Sequence, residues 1–155
     1  MNTIPSLRNY FIVFIISVFC LTSCGKELKD AVNGTGTSSI LEQYFEDNVL
    51  NKNFTISLAT NNGVDLTANY NGYLFKMTKT DYYHGPATVT KGSTTYTGTW
   101  SSNTDYSKLV ITLPSTPSEF VFLNREWKFT KKALPQMELA PWGTTEPLVL
   151  HMLRQ

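Results

Sequence analysis

The segment TTYTGTWS, residues Thr94–Ser101, alternates between large aromatic and small hydroxyl side chains. Successive side chains of a strand point to opposite faces, so Tyr96 and Trp100 share one face and the threonines share the other. Gly98 lies in the middle of the segment, where a glycine indicates a bend or a β-bulge of the kind that a closing sheet needs. The pattern predicts a β-strand with one buried, aromatic face.

The same two-residue period recurs from residue 53 to the C-terminus, with turn signals such as Asn61-Asn62-Gly63 between the segments. About eight short strands at a spacing of roughly 8–12 residues predict an all-β fold. Hairpin connections without a long crossover favour an eight-stranded antiparallel up-and-down barrel, which leaves no open edge. The side chains predicted to point inward are Phe54, Ile56, Tyr73, Phe75, Met77, Tyr96, Trp100, Ile111, Trp127, Phe129, Leu150 and Met152.

A helical period precedes the strands. Ser39-Ile40-Leu41-Glu42 fits a capping box, with serine at the cap and glutamate three residues later. Ile40, Leu41, Tyr44 and Phe45 then recur at helical spacing. We expect a short helix over Ser39–Asn48 that covers one end of the domain. The alternative is a helix that binds a partner.

The N-terminus has the features of a bacterial lipoprotein signal. Arg8 precedes the apolar run Tyr10–Cys20, which has the length of a signal-peptide core and is shorter than the roughly 20 residues of a spanning helix. Leu21-Thr22-Ser23-Cys24 then resembles a lipobox, in which the cysteine is acylated and the leader is removed before it. An ordinary secretory peptide or an uncleaved anchor is the alternative. We expect a leader at 1–23, a lipidated tether at 24–38 and the barrel domain at 39–155.

Acylation would anchor the protein to a membrane through Cys24 and leave the mature chain without a thiol, because Cys20 departs with the leader. Of the 13 Lys and Arg residues, Arg8 also departs, so the remainder balance the 12 Asp and Glu residues and nucleic acid is not an expected partner. The glycine-rich, charged tether reaches roughly 20 Å as a flexible chain. Gly25 after Cys24 favours the outer membrane, on either face.

Several strand motifs carry a resemblance to a known family. Together with the lipobox and tether, residues 40–155 resemble the lipocalin-like lipoproteins of Gram-negative envelopes. The resemblance implies a small eight-stranded calycin-type barrel and does not name a ligand. True lipocalins open the first strand with Gly-x-Trp, whereas here the triplet occurs on a middle strand, as Gly98-Thr99-Trp100. The motifs are Asn71-Gly72-Tyr73-x-Phe75, Tyr96-x-Gly98-Thr99-Trp100, Lys108-Leu109-x-Ile111, Leu123-Asn124-x-x-Trp127 and Leu148-x-Leu150.

Residues with evident chemistry are sparse. No nucleophile elbow, phosphate loop or His-Glu-x-x-His motif occurs, and the carboxylates are scattered singly, so neither an enzyme nor a cofactor is predicted. The loop Asp81–His84 offers Asp, His and two phenols that could bind a polar group, but two ligands three residues apart make a poor metal site. His151 is expected to be an exposed structural histidine. Asn124–Glu126 is interpreted as a structural ion pair beside Trp127.

Two functions remain open, because an eight-stranded barrel is either filled by side chains or wide enough for one small ligand. The first hypothesis is a membrane-anchored module that binds a small apolar molecule in or at the mouth of the barrel. The second is a structural or protein-interaction module of the envelope with a filled core, which would use the loops Asp81–Pro86, Pro114–Phe122 and Pro141–Pro147. The side chains expected to bind the ligand are Phe54, Tyr73, Phe75, Tyr96, Trp100 and Trp127.

Overall fold

The computed structural model describes residues 40–131 and 134–155, and the chain divides into two units, 1–40 and 41–155. The predicted leader, the lipobox with Cys24, the tether and Ser39 lie outside the described residues, as do the side chains of Ile40, Leu41 and Tyr44. The elements are α1 (Ile40–Asn48), β1 (Asn53–Asn61), β2 (Val64–Asp65), a 3₁₀ helix (Thr67–Tyr70), β3 (Tyr73–Met77), β4 (His84–Lys91), β5 (Thr94–Ser102), β6 (Lys108–Thr112), α2 (Phe120–Leu123), β7 (Arg125–Lys131), β8 (Gln136–Pro141) and β9 (Leu148–Arg154).

Eight strands form a closed antiparallel barrel, which confirms the predicted all-β architecture. From β3 to β9 each strand pairs with the next one along the chain, β1 pairs with β3, and β9 pairs back with β1. The two-residue β2 pairs with the last two residues of β1, with which it forms a short hairpin. Closure between β1 and β9 leaves the barrel without an open edge that another strand could extend.

The inward face of β1 changes partway along the strand. The pairing of β1 with β9 shifts register between Ile56 and Leu58, which makes Ser57 the extra residue of a β-bulge. A bulge moves the alternation by one position, so Ala59 is fully buried whereas Leu58 is only half-buried. In the sequence, Phe54, Ile56 and Leu58 alternate as if they shared one face, and the bulge ends this alternation after Ile56.

Gly98 permits a close approach of two strands, and no bulge occurs there. Every residue of β4 pairs with β5, and the register does not shift. A Cβ atom at Gly98 would lie 2.0 Å from the carbonyl oxygen of Thr112, well inside van der Waals contact. The glycine therefore lets the end of β6 pass directly against β5.

A short helix covers each end of the barrel. At the first end, the Phe45 ring of α1 is buried, with its centroid 5.3 Å from that of Trp100 and 4.8 Å from that of Tyr106. At the opposite end, Phe120 of α2 is buried and meets the Tyr96 ring edge-on at 5.1 Å. Buried aromatic side chains of α1 and of the β6–β7 connection thus cover the two ends of the barrel.

Candidate functional site

The side chains predicted to bind a ligand are spread along the barrel interior, from Trp100 beside Phe45 at the α1 end to Tyr73 and Tyr96 at the α2 end. All are buried except Tyr96, which is half-buried at the α2 end. The cavity between Phe75, Met77 and Met152 has a volume of about 10 Å³. This is about the space that one water molecule needs. This part of the interior is therefore filled by the protein's own side chains.

Hydrogen bonds fix the two buried tryptophans in place. Trp100 Nε1 donates to the carbonyl oxygen of Thr78 at 2.7 Å, and Trp127 Nε1 donates to that of Leu123 at 3.1 Å. Gly85 pairs with Trp100, and a Cβ atom there would lie 1.9 Å from the same Thr78 oxygen. Both indole N–H groups are committed to the backbone, so these residues act as core and not as polar contacts for a ligand.

A groove of about 470 Å³ lies at the α2 end of the barrel. One wall is formed around the 3₁₀ helix, and the other is the β6–β7 connection that contains α2. Its volume falls within the roughly 300–1,000 Å³ that small-molecule sites usually occupy. The walls combine apolar and polar groups, and the lining residues are Leu66, Asn69, Tyr70, Ser118, Glu119 and Phe122.

Two tyrosines join the walls of this groove through Glu119. Tyr70 Oη donates to the carbonyl oxygen of Glu119 at 2.8 Å, and Tyr73 Oη donates to its carboxylate Oε1 at 2.8 Å. Burial, reinforced by the Glu119 charge, raises the pKa of Tyr70 well above the usual phenol range. Burial and the hydrogen bond to Glu119 raise the pKa of Tyr73 to about 12. Both phenols therefore remain protonated donors at neutral pH and orient the Glu119 backbone and carboxylate.

Arg125 contacts both the groove wall and the barrel core. Its guanidinium carbon lies 5.2 Å from the ring centroid of Phe122 and 5.5 Å from that of Trp127, within cation–π range. Its Nε donates to the carbonyl oxygen of Phe122 at 2.8 Å, and its Nη1 lies 3.8 Å from Glu146 Oε2. The arginine thus links the groove wall at Phe122 to the barrel core at Trp127.

The predicted ion pair within Asn124–Glu126 was wrong, because consecutive residues of a strand point to opposite faces. Glu126 instead pairs with Lys108 of the neighbouring strand, with Nζ and Oε1 3.0 Å apart. The Asn124 side chain accepts from the Leu113 backbone N–H at 2.6 Å and donates to the Leu113 carbonyl at 2.9 Å. These two hydrogen bonds join the two ends of the β6–β7 connection.

The loop Asp81–His84 lies at the α1 end, away from the groove. His84 Nδ1 lies 2.8 Å from Asp81 Oδ1, and both side chains are more than half exposed. The Asp81 carboxylate also accepts from the backbone N–H of Tyr83 at 3.1 Å. Within residues 40–131 and 134–155, no cluster of three metal-ligating side chains occurs. The Asp81 carboxylate thus contacts both the His84 ring and the Tyr83 backbone within the loop.

His151 lies on the outer face of β9 and is half-buried, not exposed as expected. Its Nδ1 lies 3.2 Å from Gln136 Nε2, and Glu138 is its register partner on β8. A hydrogen bond from Lys131, at 3.0 Å, lowers the pKa of Glu138 below its usual range. These side chains form a polar network on the barrel wall, which agrees with a structural histidine.

No known family model, curated protein or solved structure matches this chain. Among the helices of the described residues, none has the length and apolar character needed to cross a bilayer. The site must therefore be interpreted from its own chemistry.

Sequence reasoning did not single out Glu119 or Tyr70. The pattern predicts a contact loop at Pro114–Phe122 and an irregular segment with one helical turn at Asp65–Asn71, but nothing in it links the two. Their link is a hydrogen bond between residues 49 positions apart, and such a contact has no local signal. The one available hint is that Tyr70 and Tyr73 stand three residues apart at the point where a turn leads into a strand.

Proposed function

We propose that this protein is a lipid-anchored envelope protein, related to the lipocalin-like lipoproteins, that binds a small amphiphilic ligand in the groove at the α2 end. The groove carries the proposal, because about 470 Å³ accommodates a small molecule whereas the interior cavity has about 10 Å³. The closed barrel supports the family resemblance. The lipobox Leu21–Cys24 supports the anchor.

The lining fits a ligand with a carbon skeleton and a hydrogen-bond donor. Leu66 and Phe122 offer apolar surface, and Ser118 adds a hydroxyl group. The Glu119 carboxylate is a strong acceptor, held in place by the proton of Tyr73. An amine or hydroxyl group beside an apolar chain or ring would complement both parts of the groove.

Native mass spectrometry of the mature protein, extracted from its own membrane, tests this proposal. A non-covalent passenger should accompany the wild-type chain. Ser118→Trp fills the groove from an exposed position and should abolish the passenger. Ser115→Trp adds the same bulk at an exposed position of the same connection, outside the groove lining, and should retain it. A wild-type protein that is consistently empty, or a passenger unaffected by Ser118→Trp, contradicts the proposal.

The anchor is tested separately by the intact mass of the membrane-extracted protein. The expected mass is that of residues 24–155 plus two or three acyl chains on Cys24, and the protein should fractionate with the outer membrane. Two chains suffice for stable anchoring, whereas one is marginal. A mature chain that begins elsewhere, or that carries no acyl chain, rules out the anchor without bearing on the groove.

A protein-interaction module with a filled core is the second candidate. The small interior cavity favours it, and so does Val121 of α2, which is 56% exposed beside the groove. A photo-crosslinking residue at Val121 should then capture one reproducible envelope partner in whole cells, whereas the same residue at Thr99, exposed on the barrel wall, should not. Recovery of only abundant membrane proteins at both positions would exclude this candidate.

A further inference from the structure

Two adjacent tyrosines are exposed at the α1 end of the barrel. Tyr82 is 58% exposed and Tyr83 is 38% exposed, and their ring centroids lie 6.3 Å apart. They belong to the β3–β4 connection, and residues 79–84, which run from this connection to the first residue of β4, are called the tyrosine loop. An exposed pair of aromatic rings in a loop indicates a contact surface, because it leaves apolar area in water that the fold itself does not cover.

The tyrosine loop is held in one conformation. Tyr106 Oη donates to the carbonyl oxygen of Tyr82 at 2.6 Å, and the backbone N–H of Ser102 donates to that of Tyr83 at 2.7 Å. The Tyr83 ring also packs against the buried Tyr106 ring at 5.5 Å. These contacts hold the loop backbone and one face of Tyr83 against the barrel, and they leave Tyr82 as the more exposed of the two rings.

The polypeptide enters the barrel domain beside this loop. Glu42, in the first turn of α1, accepts a hydrogen bond from Lys79 Nζ at 3.2 Å. Glu46, one turn later, pairs with the same ammonium group. That Nζ lies 4.6 Å from the ring centroid of Tyr82. The first turn of α1 therefore lies one side-chain contact, through Lys79, from the Tyr82 ring.

We propose that the tyrosine loop rests on the headgroup layer of the bilayer that holds Cys24, so that the α1 end faces the membrane and the groove faces away from it. This inference rests on the lipid anchor proposed above. Tyrosine suits the boundary between water and lipid, because its ring is apolar and its hydroxyl is polar. The predicted tether at 24–38 would keep the domain within roughly 20 Å of the lipid.

The charges of the tyrosine loop indicate whether its contact with the bilayer needs anionic lipids. Lys79 is neutralised by Glu42 and Glu46, and His84 pairs with Asp81. The loop therefore has no excess positive charge for anionic lipids. We expect the contact to form on neutral phosphatidylcholine and to be insensitive to salt, unlike the binding of a basic patch.

Site-specific fluorescence quenching in vesicles tests the orientation. The mature lipoprotein should have no free thiol, so Thr80→Cys in the tyrosine loop and Val121→Cys on α2 each give a single labelling site, and both positions are exposed. The full mature protein, labelled with bimane, is placed in phosphatidylcholine vesicles that contain a lipid spin-labelled near the headgroup. Quenching at residue 80 should exceed that at residue 121 by roughly threefold or more, because a nine-residue strand such as β5 separates the ends by about 20–30 Å. Tyr82→Ser in the Thr80→Cys background should lower this ratio, since it keeps the carbonyl that Tyr106 needs.

Each outcome has a distinct meaning. Equal quenching at the two positions, or stronger quenching at residue 121, overturns the orientation. A ratio unaffected by Tyr82→Ser overturns the role of the tyrosines. Labelling of the wild-type protein would reveal a free Cys24 thiol, which contradicts the anchor itself and not the orientation of an anchored domain.

Discussion

Replacing Phe45 with alanine should destabilise the barrel domain by about 3–5 kcal/mol. The ring is 2% exposed and packs against Trp100 and Tyr106 at centroid distances of 5.3 and 4.8 Å. Lost burial of a phenylalanine contributes roughly 2–3 kcal/mol. Each ring pair lost, with Trp100, Tyr106 and Phe129, adds up to about 0.5–1.5 kcal/mol, and partial relaxation around the site keeps the total within the range of about 3–5 kcal/mol typical of Phe→Ala in a core. Once α1 has detached from the barrel, the substitution can cost no further stability. The measured loss is therefore a lower bound on the free energy with which α1 docks.

Urea unfolding followed by tryptophan fluorescence measures the effect, because Trp100 lies beside the deleted ring and reports on this end of the barrel. Val121→Ala is the matched control, since that side chain is 56% exposed and its loss should change the unfolding free energy by less than about 0.5 kcal/mol. A loss below about 1 kcal/mol for Phe45→Ala, with an unchanged m-value, would show that α1 does not seal the barrel and would refute this reasoning.

Two further predictions concern two buried tyrosines and the close approach at Gly98. Burial raises the pKa of Tyr73 and of Tyr106 to about 12, above the ordinary 10.0, so the unfolded chain ionises first. Their contribution to the free energy of unfolding should therefore be complete below about pH 10 and decrease as the pH rises toward 12. Midpoints of urea unfolding at several pH values measure this change, and a midpoint that does not vary with pH would contradict the prediction. Gly98→Ala should lower the free energy of unfolding by about 1–3 kcal/mol or more, because the new methyl group would overlap the carbonyl oxygen of Thr112. Thr97→Ala, at an exposed position of the same strand, should have a much smaller effect in the same assay. Equal losses for the two variants would show that the close approach at Gly98 relaxes without cost.

The barrel could be predicted from the sequence because its signal is local. Alternation such as that of Tyr96 and Trp100 depends only on the pleat of one strand, and hairpin turns such as Asn61–Gly63 pair each strand with its neighbour. Most side chains predicted to point inward are buried, Phe54 and Met152 among them. A series of consecutive antiparallel hairpins is compatible with few sheet topologies. Eight such strands therefore predicted a sheet that closes into a barrel.

The departures from the prediction depend on contacts between distant residues. The bulge at Ser57 is set by pairing with β9, about 95 positions later, and nothing in the residues of β1 marks it. The helix α2 has only four residues, too few to show a period, and its role at the end of the barrel follows from where β6 and β7 place it. The groove is missed for the same reason, because Tyr70 and Glu119 meet only in the folded chain.

The two ends of this barrel differ in a way that bears on function. At the α1 end, Phe45 fills the opening and the chain enters from the proposed anchor. At the α2 end, Tyr73 extends from a barrel strand to the Glu119 carboxylate, so the groove is fixed to the rigid wall although one side of it is a connection between strands. Binding residues commonly lie on loops that a rigid scaffold positions. A ligand that reaches Glu119 would therefore find an ordered acceptor without any opening of the core. The packed interior then serves to hold that acceptor in place.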